Sequence, residues 1–408
     1  MKAQTFLASK FLSGKRRRFF VSFLTAMAVA GVAISVMAFI VVQGVMVGFA
    51  KDLQAKVIGF SPHLSLKLKS GEAISASMLQ KISAEPGVER ATAYLEGEAV
   101  LRTDDDEVQG VRLRGLEAGD PRFPSTMKVH FEEGEDWSSL QAKDEELPGI
   151  LLGREMAASL GIVPALLEEV ELLYPFGTVG PTGEVEPNVR RFRVVGTFRS
   201  GYFEYDNKFA IAALPELQRL FGDHASVQIG VYFADPRRAA PERQRFQTLA
   251  GASETSTWQE RNARLFSALK LERLGMIVVL SLMSVLASFN ILCMLMLVVF
   301  ERRRDLALLK ALGLSEPGIS GIFYRAGLWI GAVGGLLGLG GGLFLAWAIR
   351  VAKIRPPAPY YLETFPVDLQ PGTIALTLLL ALVLSLAAAV LPAREGRKMT
   401  VIEALRYE

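Results

Sequence analysis

The chain has 408 residues, half of them hydrophobic, with 21% charged residues and a mean hydropathy of +0.30. That is too apolar for an ordinary soluble enzyme and too charged for a protein lying wholly in lipid, so it predicts membrane helices joined to a substantial aqueous domain. The net charge of +3 says little in itself; one cysteine, Cys293, excludes a disulfide framework, and three scattered histidines, His63, His130 and His224, argue against a structural zinc site.

Residues 1–18 read as a cytoplasmic amphipathic segment carrying Lys2, Lys10, Lys15, Arg16, Arg17 and Arg18 without an acid. The apolar run Phe19–Val47 follows, inside a first transmembrane segment set at 19–50. It outlasts the 7–15 residues of a secretory h-region, so it is read as an uncleaved anchor, long enough to project beyond the bilayer.

Residues 51–257 change character to charges, prolines and short apolar runs, which predicts a mixed α/β domain with its own core. Arg191–Gly196 and Val227–Phe233 read as strands, Met78–Ala84 and Pro215–Phe221 as short helices. Tyr174–Asn188 holds Pro175, Gly177, Gly180, Pro181, Gly183 and Pro187, and reads as an extended hairpin or loop.

Residues 258–300 return to helical spacing. Leu265, Phe266, Leu269 and Leu274 share one side of a stalk that runs into the second apolar span, Leu274–Phe300. A segment at 301–321 carries Arg302, Arg303, Arg304 and Lys310 before the third span, Ile322–Ile349, within 322–349. That span contains Gly331/Gly335 and Gly334/Gly338, pairs four apart that let another helix approach closely; no Gly-Lys-Ser/Thr follows to make it a phosphate loop. A loop at 350–373, a fourth span at 374–391 and a basic tail at 392–408 complete the chain. Three basic clusters on one side place both termini in the cytoplasm, against the counter-signal of Arg350, Lys353 and Arg355. The fold class is therefore an α-helical membrane protein: four transmembrane helices, with a large mixed α/β extracytoplasmic domain between helices 1 and 2.

Several stretches resemble the LolC/LolE family of lipoprotein-releasing ABC transporter permeases, within the MacB-like and FtsX-like permease group. They are Gly44–Phe49, with Val47 where the family has asparagine, Phe192–Phe198, Tyr205-Asp206, Trp258–Asn262, Leu265–Glu272, Ala287–Ile291, Glu301–Gly313 and Glu403–Glu408. The resemblance covers most of the chain and is strongest over Trp258–Leu314. It implies two permeases, copies or sisters, paired with a separate cytoplasmic ATPase like LolD in the bacterial inner membrane. Together they lift acylated lipoproteins from the outer leaflet to a periplasmic chaperone like LolA. This chain then binds no cofactor, ATP and Mg acting through the partner ATPase; membrane lipids are contacts and nucleic acid is not.

The resemblance also assigns roles. Asp305 caps a coupling helix whose Leu306, Leu308, Leu309 and Leu312 offer an apolar face to the ATPase and which Gly313 ends. The acyl chains so implied call for an apolar lining, for which the candidates are Val42, Met46, Phe49, Asn290, Tyr360, Tyr361 and Phe365, with an aromatic belt or core packing, and for Asn290 a bond between helices, as the alternatives. The hairpin before the Phe192–Phe198 strand takes the place of the family's chaperone hook, with Pro175, Phe176, Val179, Pro181, Val185, Pro187 and Arg190 as candidates. Among rivals, an intramembrane protease lacks a Ser/His pair or paired aspartates in the spans. A MacB-type efflux permease would carry a fused phosphate-loop ATPase, and an FtsX-like signalling scaffold a much smaller outer domain.

Overall fold

The computed structural model describes residues 19–68, 74–117, 127–142, 146–179, 185–353 and 364–398; side chains at 19–21, 178–179 and 185 lie outside that description. The expected segments at 1–18 and 399–408 therefore lie outside the described residues, as do Pro181, Tyr360, Tyr361 and the closing Glu403–Glu408 motif. The helices are α1 Phe19–Phe60, α2 Ala76–Ser83, α3 Arg154–Ser159, α4 Phe203–Lys208, α5 Leu214–Phe221, α6 Ala239–Ala250, α7 Trp258–Arg261, α8 Ala263–Glu301, α9 Arg303–Ala311, α10 Glu316–Ala352, α11 Pro371–Ala388 and α12 Val390–Lys398. The strands are β1 Leu64–Lys67, β2 Val88–Thr103, β3 Val108–Leu116, β4 Lys128–Phe131, β5 Gly149–Gly153, β6 Glu169–Val179, β7 Val185–Arg199, β8 Phe209–Ala213, β9 Val227–Phe233 and β10 Glu254–Thr257. The described residues divide into two compact units, one of helices and one at 52–266.

Among the described residues, four helical segments are long and apolar enough to cross a membrane: Ser22–Phe60, Ala263–Glu301, Glu316–Ala352 and Pro371–Lys398. The last is interrupted at Ala389, so the fourth span ends there and a short basic helix, α12, follows. Within the helical unit the core is built from one stripe of each helix. Ala28, Val32, Val36 and Ile40, four apart on α1, meet Ile291, Leu295 and Val298 of α8 and Phe323, Ala326 and Ile330 of α10.

The glycines of α10 set how closely its neighbours approach. A Cβ on Gly334 would lie 2.8 Å from the Val32 Cβ, one on Gly338 2.5 Å from the Ala33 carbonyl oxygen, and one on Gly342 3.1 Å from the Ile40 Cβ. Both residue series ascend together, so α1 and α10 run parallel, as the first and third helices of a four-span chain must. On the opposite side Gly327 and Gly331 lie against Ser385 and Ala389. The close packing expected from the glycine spacing is thus present, shared between two neighbours.

In the other unit a ten-stranded mixed sheet has the order β10-β1-β9-β2-β3-β8-β5-β7-β4, with β6 pairing β2 and β7. Most pairs are antiparallel; β3 with β8 and β5 with β7 are parallel. Apolar cores lie on both sides of it, one centred on Phe60, Leu66, Phe198, Ile211 and Val231, the other on Leu95, Leu113, Ile150, Phe192 and Leu217. The expected strands and helices all form, with Val227–Phe233 recovered as read and the two short helices at Ala76–Ser83 and Leu214–Phe221.

Two helix boundaries differ from the sequence reading. Helix α1 continues to Phe60, because Val57 and Phe60 are buried in this domain's core and give its last turns an apolar partner other than lipid. The stalk is not one helix: Thr257 and Glu260 form a capping box that starts α7, and Asn262 ends it with a break before α8. Leu265 and Phe266 pack on the domain core, whereas Leu274, grouped with them from the sequence, is exposed.

His63 is buried between α1 and β1, its Nδ1 accepting the Phe233 amide at 2.9 Å. Burial lowers its pKa to about 4 from an ordinary 6.5, despite the attraction of Asp235. The unfolded chain takes up this proton first, so stability is complete above about pH 6.5 and falls as pH drops toward 4. At ~1.36 kcal/mol per pKa unit, the loss reaches about 2 kcal/mol at pH 5. Urea unfolding followed through Trp258 fluorescence should show this acid loss in the parent and not in His63→Gln; equal slopes would contradict it.

Candidate functional sites

Three surfaces carry the chemistry that the sequence points to. The first is α9. Arg302, not Asp305, stands at its N-cap, and Asp305 occupies the third position, 3.0 Å from the Arg302 guanidinium and favourably placed at the helix's positive end. Gly313 closes the helix as expected: at φ +92 its N–H donates to the Lys310 carbonyl, and the Leu314 N–H reaches back to the Leu309 carbonyl. The four leucines do not share a face. Leu306 and Ala307 are buried in the helical core, while Leu308 (48% exposed) and Leu312 (84% exposed), one turn apart, form the free apolar edge. A 100° step per residue sets Leu306 and Leu308 on different sides, which is why the grouping of all four fails.

The second surface lies among the spans. A cavity of about 230 Å³ sits between α1, α8 and α11, lined chiefly by Val32, Val36, Phe39, Val285, Leu380 and Leu384. Hydroxyls also line it: Ser35, Ser281, Ser284, Ser288, Thr377 and Ser385. Most are satisfied within the helices. Ser284 donates to the Leu280 carbonyl and so accepts from Ser35 at 3.1 Å, while Ser288, Ser385 and Thr377 donate to carbonyls one turn back. What remains facing the cavity is mostly carbon.

Among the described residues, none of those expected to line a lipid site lines this cavity. Val42, Met46 and Phe49 are partly exposed on α1, beyond it. Asn290 donates to the Met27 carbonyl at 3.5 Å and borders Gly31, so it ties α8 to α1. Phe365 belongs to an extended stretch packed on α1, where the Asp368 N–H donates to the Gly44 carbonyl at 2.9 Å and a Cβ on Gly48 would lie 2.1 Å from the Pro366 oxygen. Arg350 donates to the Val367 carbonyl and Lys51 pairs with Asp368, fixing that stretch from both sides. The missed signal was Ser281, Ser284 and Ser288 at helical spacing within an otherwise apolar span.

The third surface is the β6–β7 hairpin. The strands pair antiparallel with Leu173 opposite Val189 and Val179 opposite Val185, and the register breaks between Tyr174 and Thr178. Gly177 sits at that break, where a Cβ would lie 2.1 Å from the Glu186 carbonyl oxygen. Tyr174 anchors the base edge-on to Phe221, 4.8 Å between centroids. Beyond it Pro175, Phe176 (64% exposed) and Pro187 are exposed apolar residues, while Val189, opposite Leu173, is exposed on the base side of Tyr174. Arg190 is drawn away from them by an ion pair with Glu216 at 3.1 Å.

Among the described residues no group of three or more His, Cys, Asp or Glu side chains is arranged to hold a metal ion.

Comparison with known proteins adds a lineage to this geometry. The profile of the FtsX-like permease C-terminal region matches residues 277–401, and that of the MacB-like periplasmic core domain matches 25–249. Over 427 aligned residues the chain is 30% identical to the lipoprotein-releasing system transmembrane protein LolC of Neisseria meningitidis serogroup B, covering 99% of each. The LolC of Xylella fastidiosa is 29% identical, with 98% of this chain and 97% of that one covered. The LolE of Haemophilus influenzae is 22% identical over 99% of both. The insertion between the first and second spans is accordingly a periplasmic-type α/β domain on a multi-pass membrane protein.

Proposed function

The chain belongs to the LolC/LolE family of lipoprotein-releasing system transmembrane proteins, and on that basis we propose that it is the permease subunit of an ABC transporter that extracts acylated lipoproteins from the outer leaflet of the bacterial inner membrane. The observation that carries this reading is the end-to-end match to LolC. The permease itself performs no catalysis. A separate ATPase binds ATP and Mg in the cytoplasm and seats on Leu308 and Leu312 of α9. Both termini face the cytoplasm, on the side of the basic clusters at 302–304 and 394–398. A second copy or a sister permease completes the pair.

Release requires acyl chains to leave the bilayer without meeting water. The apolar cavity between α1, α8 and α11 offers such a shelter, and most of its hydroxyls, already bonded to backbone carbonyls or to one another, cost little to cover. The protein part of the cargo passes to a soluble chaperone that docks on the β6–β7 hairpin, where Pro175, Phe176 and Pro187 supply an apolar anchor on paired strands.

Two measurements test this reading. Affinity purification of the tagged chain from native membranes should recover a cytoplasmic ABC ATPase in stoichiometric amount; its absence would overturn the assignment. Chaperone capture should fall on the order of 30-fold in Phe176→Asp, since a central apolar anchor carries about 2 kcal/mol or more of an interface. The unfolding midpoint should not change, because Phe176 is largely exposed. Undiminished capture would remove the hairpin from the handover.

A further inference from the structure

The domain at 52–266 contains a charged cluster that none of the surfaces above uses. Glu96 of β2 and Arg114 of β3 are cross-strand partners, and Arg114 is almost wholly buried. The Arg114 Nε donates to Glu96 Oε1 at 2.9 Å, its Nη1 donates to the carbonyl of Phe60 at 2.5 Å, and the guanidinium lies 4.0 Å over the Phe60 ring. The second carboxylate oxygen of Glu96 takes Arg261, whose Nη1 also donates to Ser65 Oγ and Tyr94 Oη at 2.7 Å each. Beside this, Tyr205 stacks 4.4 Å from Phe60 and donates to Asn262 Oδ1 at 3.0 Å.

The chain positions of these partners matter. Phe60 is the last residue of α1, and Arg261 and Asn262 are the last residues before α8 begins. One carboxylate on one strand pair therefore holds the end of α1 through Arg114 and, directly, Arg261 of α7, the short helix that leads into α8. Burial alone would raise the Glu96 carboxyl, yet Arg114 and Arg261 hold it below the ordinary range. Charges buried this way are a poor means of gaining stability, since well-packed apolar groups serve as well or better. What a bidentate, two-armed carboxylate supplies is fixed geometry.

We propose that Glu96 is a positioning residue that clamps the ends of α1 and α7 to β2–β3, so that displacement of the two helices moves the sheet with them and ATP hydrolysis is coupled to release. This rests on the transporter reading above. A loose joint there would let the helices move while the sheet stayed behind, spending ATP without release. Glu98, next but one on β2 and 79% exposed at its side chain, pairs with Arg112 at 3.4 Å and serves as the control.

The test is the full complex with its ATPase in proteoliposomes carrying a fluorescent acylated lipoprotein, with hydrolysis and release measured together. Glu96→Gln keeps the size and removes the charge. Release per ATP hydrolysed should fall on the order of tenfold while hydrolysis itself stays within about twofold, and Glu98→Gln should match the parent. If Glu96→Gln fails to assemble, Arg261→Lys, which keeps the charge and loses the fork, should show the same split. A parent ratio in these variants, or hydrolysis and release falling together, overturns the clamp. No release by the parent complex overturns the transporter reading, and the clamp with it.

Discussion

Gly338→Leu should prevent the helical unit from forming. At this position even a Cβ would lie 2.5 Å from the Ala33 carbonyl oxygen and 2.7 Å from the Val36 Cβ, and backbone cannot give way as a flexible side chain does. The neighbouring contacts Gly334 to Val32 and Gly342 to Ile40 repeat the fit one turn on either side, so relief requires the two helices to separate along several turns. Ordinary overpacking costs about 1–3 kcal/mol, and a clash against backbone along a whole seam should exceed that. Since domain stabilities are only about 5–15 kcal/mol, little margin is left. Membrane abundance and the melting midpoint in detergent provide the check. Gly340→Ala is the internal control: nothing lies within 4 Å of its added Cβ, and it should insert and melt like the parent.

Leu312→Asp should separate assembly from folding. Leu312 is 84% exposed, so a carboxylate there meets no core, and the chain should insert and melt as the parent does. Its affinity for the ATPase should fall on the order of 30-fold or more, the scale of a truncated hot spot worsened by an unpaired charge at an apolar contact. Leu306→Asp offers the contrast, since that side chain is 1% exposed within the helical core and the same carboxylate would be buried without a partner. It should lower the melting midpoint before any binding is measured. Co-purification of the ATPase and the hydrolysis rate of the complex distinguish the two; retention of the ATPase by Leu312→Asp would move the contact elsewhere.

The sequence was most legible where one solvent dominates. Four runs of apolar residues have to be in lipid, and all four are helices. The Gly334/Gly338 spacing foretold close packing because only glycine removes the Cβ that would hold a neighbour off. Proline and glycine in Tyr174–Asn188 pointed to an extended hairpin or loop, of which the hairpin forms, and Gly313 foretold the end of α9.

Legibility failed where two environments meet on one helix. The first span was set at 19–50, where the charged residues begin, yet the helix continues and its far turns bury Val57 and Phe60 in protein. The break at Asn262 depends on a side chain that bonds the Trp258 carbonyl and Tyr205, a partner 57 residues away. The cavity was invisible for a related reason: its lining comes from three helices, and hydroxyls that bond their own backbone leave no mark in a hydropathy average. The Glu96 cluster was equally hidden, since cross-strand register, not proximity in sequence, brings Glu96, Arg114 and Arg261 together.

The most direct test of the account is release itself. The tagged chain, purified with its native partners, is reconstituted into liposomes bearing an acylated lipoprotein, and ATP is added with a soluble periplasmic chaperone outside. The account predicts that lipoprotein moves into the chaperone fraction only when ATP and chaperone are both present, and that Leu312→Asp abolishes the transfer. A complex that hydrolyses ATP yet leaves the lipoprotein in the bilayer under every condition would contradict it.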